Sequence, residues 1–510
     1  MLNKKEYVKN FSWDFYSKLI IISYFVLQII RWQILPQFMD IYYHFLTAWG
    51  FIQAGGYSGW DFWQYAPVGR IHIYPPLFHI ILAFLIKLGI SKVILAKFFE
   101  VIMPVIFLIV LWNLIRKNYN ECLAFFVTVM FSSSFSFYLS LLNHIPATLA
   151  FILGFLAFDQ LFQSKFLRAS LMLALCFYTH IGVSWFFAFS FLFYSLFNKQ
   201  HRKSCYIIFI FAFILSLPIL LKQLAGIKFI SSLGINLNEK YICQIKIIDY
   251  VLAIFGLILA LRLDKKYHLF SSFLFASFIF LIYPYRFFSA EGYLPVILLS
   301  ALFLYNLYEK FKHKRLYLKY LPILATVFIL FFSPTVSMDR IEGKNKLSYK
   351  LHISDSAFMG MLLARGKSIW FPREYLSAAD LIKNNSREGD IVYSSLNIAG
   401  VILASMSGRS TANALFPEIH ASRQFDPILA SKIIVFAKDE SPEWINRIIN
   451  NYNLTKIGEN KIFILYRNPF CYAKVNVKKA SFSFLMIGLI SAVFMLLLWL
   501  TKNYSKLIFI

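Results

Sequence analysis

Apolar runs of about twenty residues recur along the chain, and they narrow its fold more than any other feature. A run of that length, wound into a helix, matches the hydrocarbon thickness of a bilayer. The runs fall near 16–35, 92–115, 121–141, 146–163, 205–222, 247–263, 267–284, 291–308, 319–334 and 481–500, with two shorter arms over 168–197 around Thr179-His180-Ile181-Gly182. They are continuous rather than alternating, which predicts helices and not a membrane β-barrel. Only 15% of the residues are charged and 59% are hydrophobic, whereas roughly a quarter are charged in a soluble domain. The expectation is an α-helical polytopic membrane protein with about twelve transmembrane helices.

The net charge of +26 would suggest a nucleic-acid partner in a soluble chain. Here the basic residues gather in short loops: Lys4/Lys5/Lys9, Arg116/Lys117, Lys165/Arg168, Lys199/Arg202/Lys203, Arg262/Lys265/Lys266 and Lys310/Lys312/Lys314/Arg315. Positive charge in short loops marks the cytoplasmic side, so the excess reads as topology and no nucleic acid is expected. Both termini are then cytoplasmic in a multi-pass cell-membrane protein. Keeping Arg116/Lys117 on that side requires the short run PPLFHIILAFLIKLG (75–89) to lie against the outer interface as a helix, with Pro75 and Pro76 in its first turn. The first run is long and lacks a small-residue cleavage site, so it reads as a retained span.

Three regions follow. Residues 1–334 form a transmembrane domain whose external loop, 36–91, carries juxtamembrane helices. Residues 335–480 change composition, gaining charge, Gly, Asn and Ser, and are expected outside the membrane; 481–510 supply a final transmembrane helix and a cytoplasmic tail. In the outer region SAADLIKNNSREGDIVYSS reads as helix, turn and strand, with Ser377 as N-cap and Ile391-Val392-Tyr393 as strand. KIIVFA reads as a buried strand, PEWINRIINNY as a helix and TKIGENKIFILYRN as a hairpin. Alternating helices and strands imply a small α/β extracytoplasmic domain. The five cysteines show no metal spacing, and Cys243 and Cys471 are the pair that this topology allows on one side.

In FMDIYYHF (38–45) a carboxylate interrupts the apolar pattern at the end of the first run. Asp40, His44 and Thr47 fall at i, i+4 and i+7, on one face of a helix, with Ile41, Phe45, Ala48 and Ile52 on the neighbouring apolar stripe. The pattern suits an interfacial helix turning its polar face to protein or water. Asp40 serves equally well as its N-cap. The loop that follows, GGYSGWDFWQYAPVGRIHIYPPLFH, offers flat aromatic faces for a sugar ring or a polyprenyl chain, and equally for an interfacial belt. Asp61 and Arg70 can pair as a structural bridge. His44, His144 and His180 project toward the outer side, where an imidazole can hydrogen-bond a phosphate or sugar. Glu291 follows Arg286 by five residues and can be its ion-pair partner.

An Asp after the first span, an aromatic loop, then YAPVGR and YPPLFH resemble the first external loop of the oligosaccharyltransferase catalytic subunit, and more broadly the GT-C superfamily of lipid-phosphate-sugar glycosyltransferases. SLLNHIPATLAF (140–151) occupies the position of that family's second external carboxylate motif. YRFFSAEGYLPVILLSALF (285–303) is similar to its arginine-bearing helix start, and LSAADLIKNNSREGDIVYSS to the start of its outer domain.

The resemblance implies Asp40 as the catalytic base and Arg286 as the group steadying the departing lipid phosphate. His44, Arg70, His144, His180 and Asp61 are the further substrate-binding candidates. It also implies an inverting transfer from a polyprenyl-phosphate-linked sugar to a lipid, glycan or protein acceptor.

Two departures stand out. Asn143 and His144 replace the family's pair of acidic metal ligands, and Ser395-Leu396-Asn397-Ile398-Ala399-Gly400 replaces its Trp-Trp-Asp-Tyr-Gly acceptor motif. No cofactor is expected, since the usual ligands of a divalent metal are missing. A non-catalytic scaffold on the same frame and a lipid or glycolipid flippase are the competing readings; few intramembrane charges and no internal repeat weigh against the flippase.

Overall fold

In an apolar surround every backbone amide must bond within its own segment, and the continuous Leu, Ile, Phe and Val runs accordingly wind into helices. The computed structural model describes residues 12–31, 40–132, 134–230, 243–313, 316–331, 335–340, 347–352, 373–416, 419–490, 492 and 496. The helices are α1 (Trp13–Arg31), α2 (Asp40–Ala54), α3 (Leu77–Lys87), α4 (Lys92–Asn118), α5 (Glu121–Phe131), α6 (Phe135–Asn143), α7 (Ile145–Phe162), α8 (Phe166–Phe177), α9 (Ile181–Phe197), α10 (Arg202–Gly226), α11 (Ile247–Arg262), α12 (His268–Ser277), α13 (Pro284–Phe288), α14 (Leu294–Phe311) and α15 (Leu316–Phe331).

Among the described residues five segments are long and apolar enough to cross a membrane: Trp13–Ile30, Lys92–Asn118, Ile145–Phe162, Arg202–Phe229 and Pro284–Phe311. A sixth counts if α5 and α6, inclined at 82°, form one broken span. The run expected over 121–141 is therefore two helices, the second capped by Ser134, whose hydroxyl accepts from the Phe137 amide. The arms over 168–197 are likewise two helices, separated at Thr179-His180. The run over 267–284 is α12 followed by a 3-10 turn, Phe278–Ile282. Of the run near 481–500, residues 481–490, 492 and 496 are described; Phe482–Ser483 pairs as a strand with Gly56–Tyr57, and helix follows it.

The span Pro284–Phe311 is central, 89% buried, whereas Trp13–Ile30 is peripheral at 22% and shows Phe15, Leu19, Ile22 and Val26 on its outer side. Small residues let the inner helices approach. A Cβ on Gly256 of α11 would stand 2.0 Å from the Leu299 carbonyl oxygen of α14, and one on Gly154 of α7 would enter the Phe187 ring of α9.

Outside the bundle, residues 391–467 build a five-stranded sheet. Its order is Thr455–Glu459, Phe463–Arg467, Ile433–Ala437, Ile391–Ser394, Ser410–Thr411. Ile391–Ser394 runs parallel to both its neighbours, and the Thr455–Arg467 hairpin is antiparallel. Helices Arg373–Asn385, Asn397–Ser407 and Pro442–Tyr452 flank the sheet. The first of these begins four residues before Ser377, whose hydroxyl bonds back to the Glu374 carbonyl instead of capping. Residues 335–340 and 347–352 do not join this sheet; 335–340 pairs with Cys243–Lys246, between α10 and α11, and 347–352 adds to the other edge of 335–340. Cys471 carries a free thiol set against the Ala430 and Ala473 carbonyls, which leaves the Cys243–Cys471 pairing without support.

Helix α2 departs from the interfacial expectation. Ile41, Tyr42, Phe45 and Ala48 pack into the bundle core. Tyr43, Leu46 and Phe51 pack with Val401 and Ala404 of the helix Asn397–Ser407. That helix presents Ala399 and Leu403 to the sheet. α2 is thus clamped between the bundle and the sheet domain, buried from Ile41 to Ala48, with Asp40 partly open at its start and Ile52, Gln53 and Ala54 partly open at its end. α3, eleven residues long, packs Phe78, His79, Leu82 and Ala83 inward and leaves Phe84 and Leu88 exposed. It is too short to cross a bilayer.

Candidate active site

Four chain breaks meet at one end of the bundle. α2 opens with Asp40 in its first turn, where the helix dipole favours a negative charge. α6 stops at Asn143 and α7 begins at Ile145 with Pro146, so His144, at φ −96° and ψ 60°, belongs to neither. α8 and α9 part at His180. α13 ends at Phe288, and a 3-10 turn over Glu291–Tyr293 leads into α14. That turn folds Glu291 back onto Arg286.

The side chains at these breaks form one chain of contacts. His144 Nε2 lies 3.8 Å from Asp40 Oδ2, and His144 Nδ1 lies 3.1 Å from Glu291 Oε1. The same Glu291 oxygen accepts from Arg286 at 3.3 Å. Glu291 is buried, while the Asp40 and Arg286 side chains keep 21% and 30% of their surface open. The acidic and basic ends of the relay can therefore be reached from outside, His144 is partly open, and Glu291 is closed off. Burial outweighs the nearby positive charges of His144 and Arg286 and holds the Asp40 carboxyl above the ordinary carboxylate range.

The other expected residues fall in two groups. His180 stands at the edge of the relay, with Arg286, Glu291 and His144 as electrostatic neighbours. Its Nδ1 accepts from the Val183 amide, capping α9, so the ring proton is on Nε2. Tyr74, whose ring meets those of His44 and His180, also neighbours Arg286, Asp40 and Glu291. His44 lies deeper. Its Nδ1 is 2.8 Å from His79 Nε2 within a shell of Tyr43, Tyr74 and Phe78, and burial keeps it well below the usual imidazole range.

Asp61 and Arg70 lie apart from the relay and face each other across a two-stranded ladder, Trp60–Asp61 with Arg70–Ile71. Arg70 Nε donates to Asp61 at 3.0 Å, and its other nitrogens donate to the carbonyls of Leu415, Phe416 and Ile419. Asp61 also accepts from the Gln64 amide and side chain, and Gln64 accepts from the Leu415 amide. This pair ties the external loop to the outer domain.

Sequence reading placed Asp40, His144 and Arg286 among the candidates and treated Glu291 as the partner of Arg286 alone. It missed the bridge from Glu291 to His144, and it missed Tyr74, whose one signal was its place before the Pro75-Pro76 pair.

The donor set does not fit a carboxylate-held divalent cation. Among the described residues no three His, Cys, Asp or Glu side chains converge on a common point. Glu291 Oε1 is already taken by Arg286 and His144, and only Oε2 is left without a partner. A guanidinium 3.3 Å from that carboxylate opposes a second cation beside it. The arrangement instead offers an accessible carboxylate and an accessible guanidinium, coupled through the His144 imidazole and the buried Glu291 carboxylate.

The bundle, its external loop and the outer domain together have the fold of the GT-C membrane glycosyltransferases. The oligosaccharyltransferase of Archaeoglobus fulgidus in its apo form matches with a TM-score of 0.57 over 90% of this chain and 75% of that one, at 10% identity. The same archaeal enzyme, AglB, in complex with an inhibitory peptide and a dolichol-phosphate gives 0.52 over 83% and 69%, at 11% identity. The mycobacterial arabinofuranosyltransferase AftD gives 0.53 over 88% of this chain and 41% of that one, also at 11% identity. No protein-family model matches the sequence, and no curated protein matches it.

Proposed function

We propose that this chain is an integral membrane glycosyltransferase that moves a sugar from a polyprenyl-phosphate-linked donor to an acceptor on the outer face of the membrane. The observation that carries the reading is the relay Asp40–His144–Glu291–Arg286, which brings an open carboxylate and an open guanidinium to one end of the bundle. The solved archaeal enzyme with a dolichol-phosphate bound supports a lipid-linked phosphate as donor. The bundle crosses the membrane about twelve times, with both termini cytoplasmic and residues 335–480 outside.

In the proposed reaction Asp40 takes the proton of the acceptor nucleophile. The acceptor atom bonds to the anomeric carbon as the bond from that carbon to the phosphate oxygen breaks, inverting the centre. The polyprenyl phosphate departs with its new charge beside Arg286. His144 bridges the Asp40 and Glu291 carboxylates, and Glu291 holds both His144 and Arg286 in place; these two are positioning residues. No step needs a metal ion.

Purified protein incubated with polyprenyl-phosphate sugars and cell-envelope acceptors tests this reading. Wild type should transfer sugar, and Asp40→Asn should lose about 10²- to 10⁴-fold. Equal transfer by the two proteins would remove Asp40 as the base. Lipid movement across vesicles without transfer from any donor would replace the glycosyltransferase reading with a flippase.

A further inference from the structure

At the end of the bundle away from the relay, α4, α9 and α11 finish and α5, α10 and α12 begin around a cavity of about 730 Å3. α7 and α9 both start at the relay, after His144 and His180, and their far ends bring Phe162 and Tyr194 into the cavity wall. Eighteen and seventeen residues of helix at 1.5 Å rise each separate the two sites by roughly 25 Å, close to a hydrocarbon thickness. The cavity therefore opens at the opposite membrane boundary.

Its wall is basic and held in place. Lys265 and Lys266 sit on a 3-10 turn, exposed, and neither enters a salt bridge among the described residues. Asp264 is the carboxylate of the lining, so the two lysines leave it net positive. The Tyr119 hydroxyl donates to the Lys266 carbonyl at 2.7 Å, fixing the lysine turn to the α4–α5 corner. Across the cavity the His201 ring stacks on Tyr194, and Asn198 donates to the Tyr194 hydroxyl at 3.0 Å.

The basic clusters Arg116/Lys117, Lys199/Arg202/Lys203 and Arg262 stand at this same end of the bundle. Two exposed ammonium groups outside any salt bridge among the described residues, one of them over the Tyr267 ring, with an amide and aromatic faces, are the chemistry that receives an organic phosphate. The volume exceeds what a bare phosphate needs and lies within the range of small-molecule sites. A basic pocket between helix ends at a membrane boundary meets lipid headgroups first.

We infer that this cavity holds the phosphate headgroup of an anionic lipid, in the leaflet opposite the candidate active site. The full chain in detergent, titrated with phosphatidylglycerol or phosphatidylcholine and read by native mass spectrometry, tests it. Wild type should retain phosphatidylglycerol over phosphatidylcholine by about fivefold or more. Lys265→Gln/Lys266→Gln should bring the ratio near one. Lys199→Gln/Lys203→Gln removes two exposed charges at the same end but outside the lining, and should leave the ratio unchanged. All four lysines are exposed, so neither pair threatens the fold. A wild-type ratio near one, or equal loss in both double variants, overturns the site. Displacement of the lipid by millimolar glycerol 3-phosphate would assign the cavity to a water-soluble phosphate and overturn the lipid assignment.

Discussion

Asp61 and Arg70 have 1% and 3% of their side chains exposed and satisfy each other along with four backbone groups; Asp40 and Arg286 have 21% and 30% exposed and meet only through His144 and Glu291. Both sets pair an aspartate with an arginine beside the same external loop. The first is closed, with every guanidinium nitrogen aimed at a fixed acceptor. The second is open, its contacts run from 3.1 to 3.8 Å, and one carboxylate oxygen of Glu291 lacks a partner among the described residues. A closed pair stabilises; an open one retains charge that a substrate can use. The difference gives a physical ground for setting the two aspartates apart.

The largest effect should come from breaking the closed pair. Arg70→Met leaves the Asp61 carboxylate buried and frees three carbonyls, and should cost about 3–5 kcal/mol in unfolding measurements. Transfer per folded molecule should stay near wild type; a specific loss of turnover with stability intact would make Arg70 a substrate residue after all. Arg286→Gln should act the other way, lowering turnover about 10²- to 10³-fold with a smaller change in melting temperature. Arg286→Lys should recover part of that turnover, since it restores the charge without the fork.

The smallest effect is on pH and has a fixed sign. Asp40 must be ionised to accept a proton, and its pKa is raised by burial. Turnover should therefore fall about tenfold per pH unit on the acid side, from an inflection above the ordinary carboxylate value. A carboxyl with a raised folded pKa binds its proton more tightly in the fold, so its contribution to stability is lost as pH rises from the unfolded value through the folded one. Asp40→Asn should then melt higher than wild type at neutral pH and alike at pH 3. A lower melting temperature for the variant at neutral pH would show that the relay stabilises the charge.

Much of the site was legible because charge is rare in such a chain. Asp40 and Arg286 interrupt apolar sequence, and few other reasons place them there. The bridge through His144 was not legible, because it depends on three breaks meeting in space, and sequence periodicity describes only the unbroken segments. The burial of α2 was hidden for a related reason. Periodicity gave it one apolar stripe, Ile41, Phe45, Ala48 and Ile52, whereas Tyr43, Leu46 and Phe51 form a second whose partner is the helix Asn397–Ser407, more than three hundred residues away. Ser377 misled through its chemistry: a hydroxyl bonds back to a carbonyl one turn earlier as readily as it caps a helix, and here it does the former.

The tie between Arg70 and the carbonyls of Leu415–Ile419 spans 345 to 349 residues of sequence. Ribosomes add roughly 5–20 residues per second, so the arginine emerges some 20–70 seconds before its acceptors exist. During that interval the loop carrying Asp40 stands inserted but incomplete, with a buried-to-be cation in need of temporary company. The loop that Asp40 leads into therefore cannot close onto the sheet domain until residues 415–419 have been made.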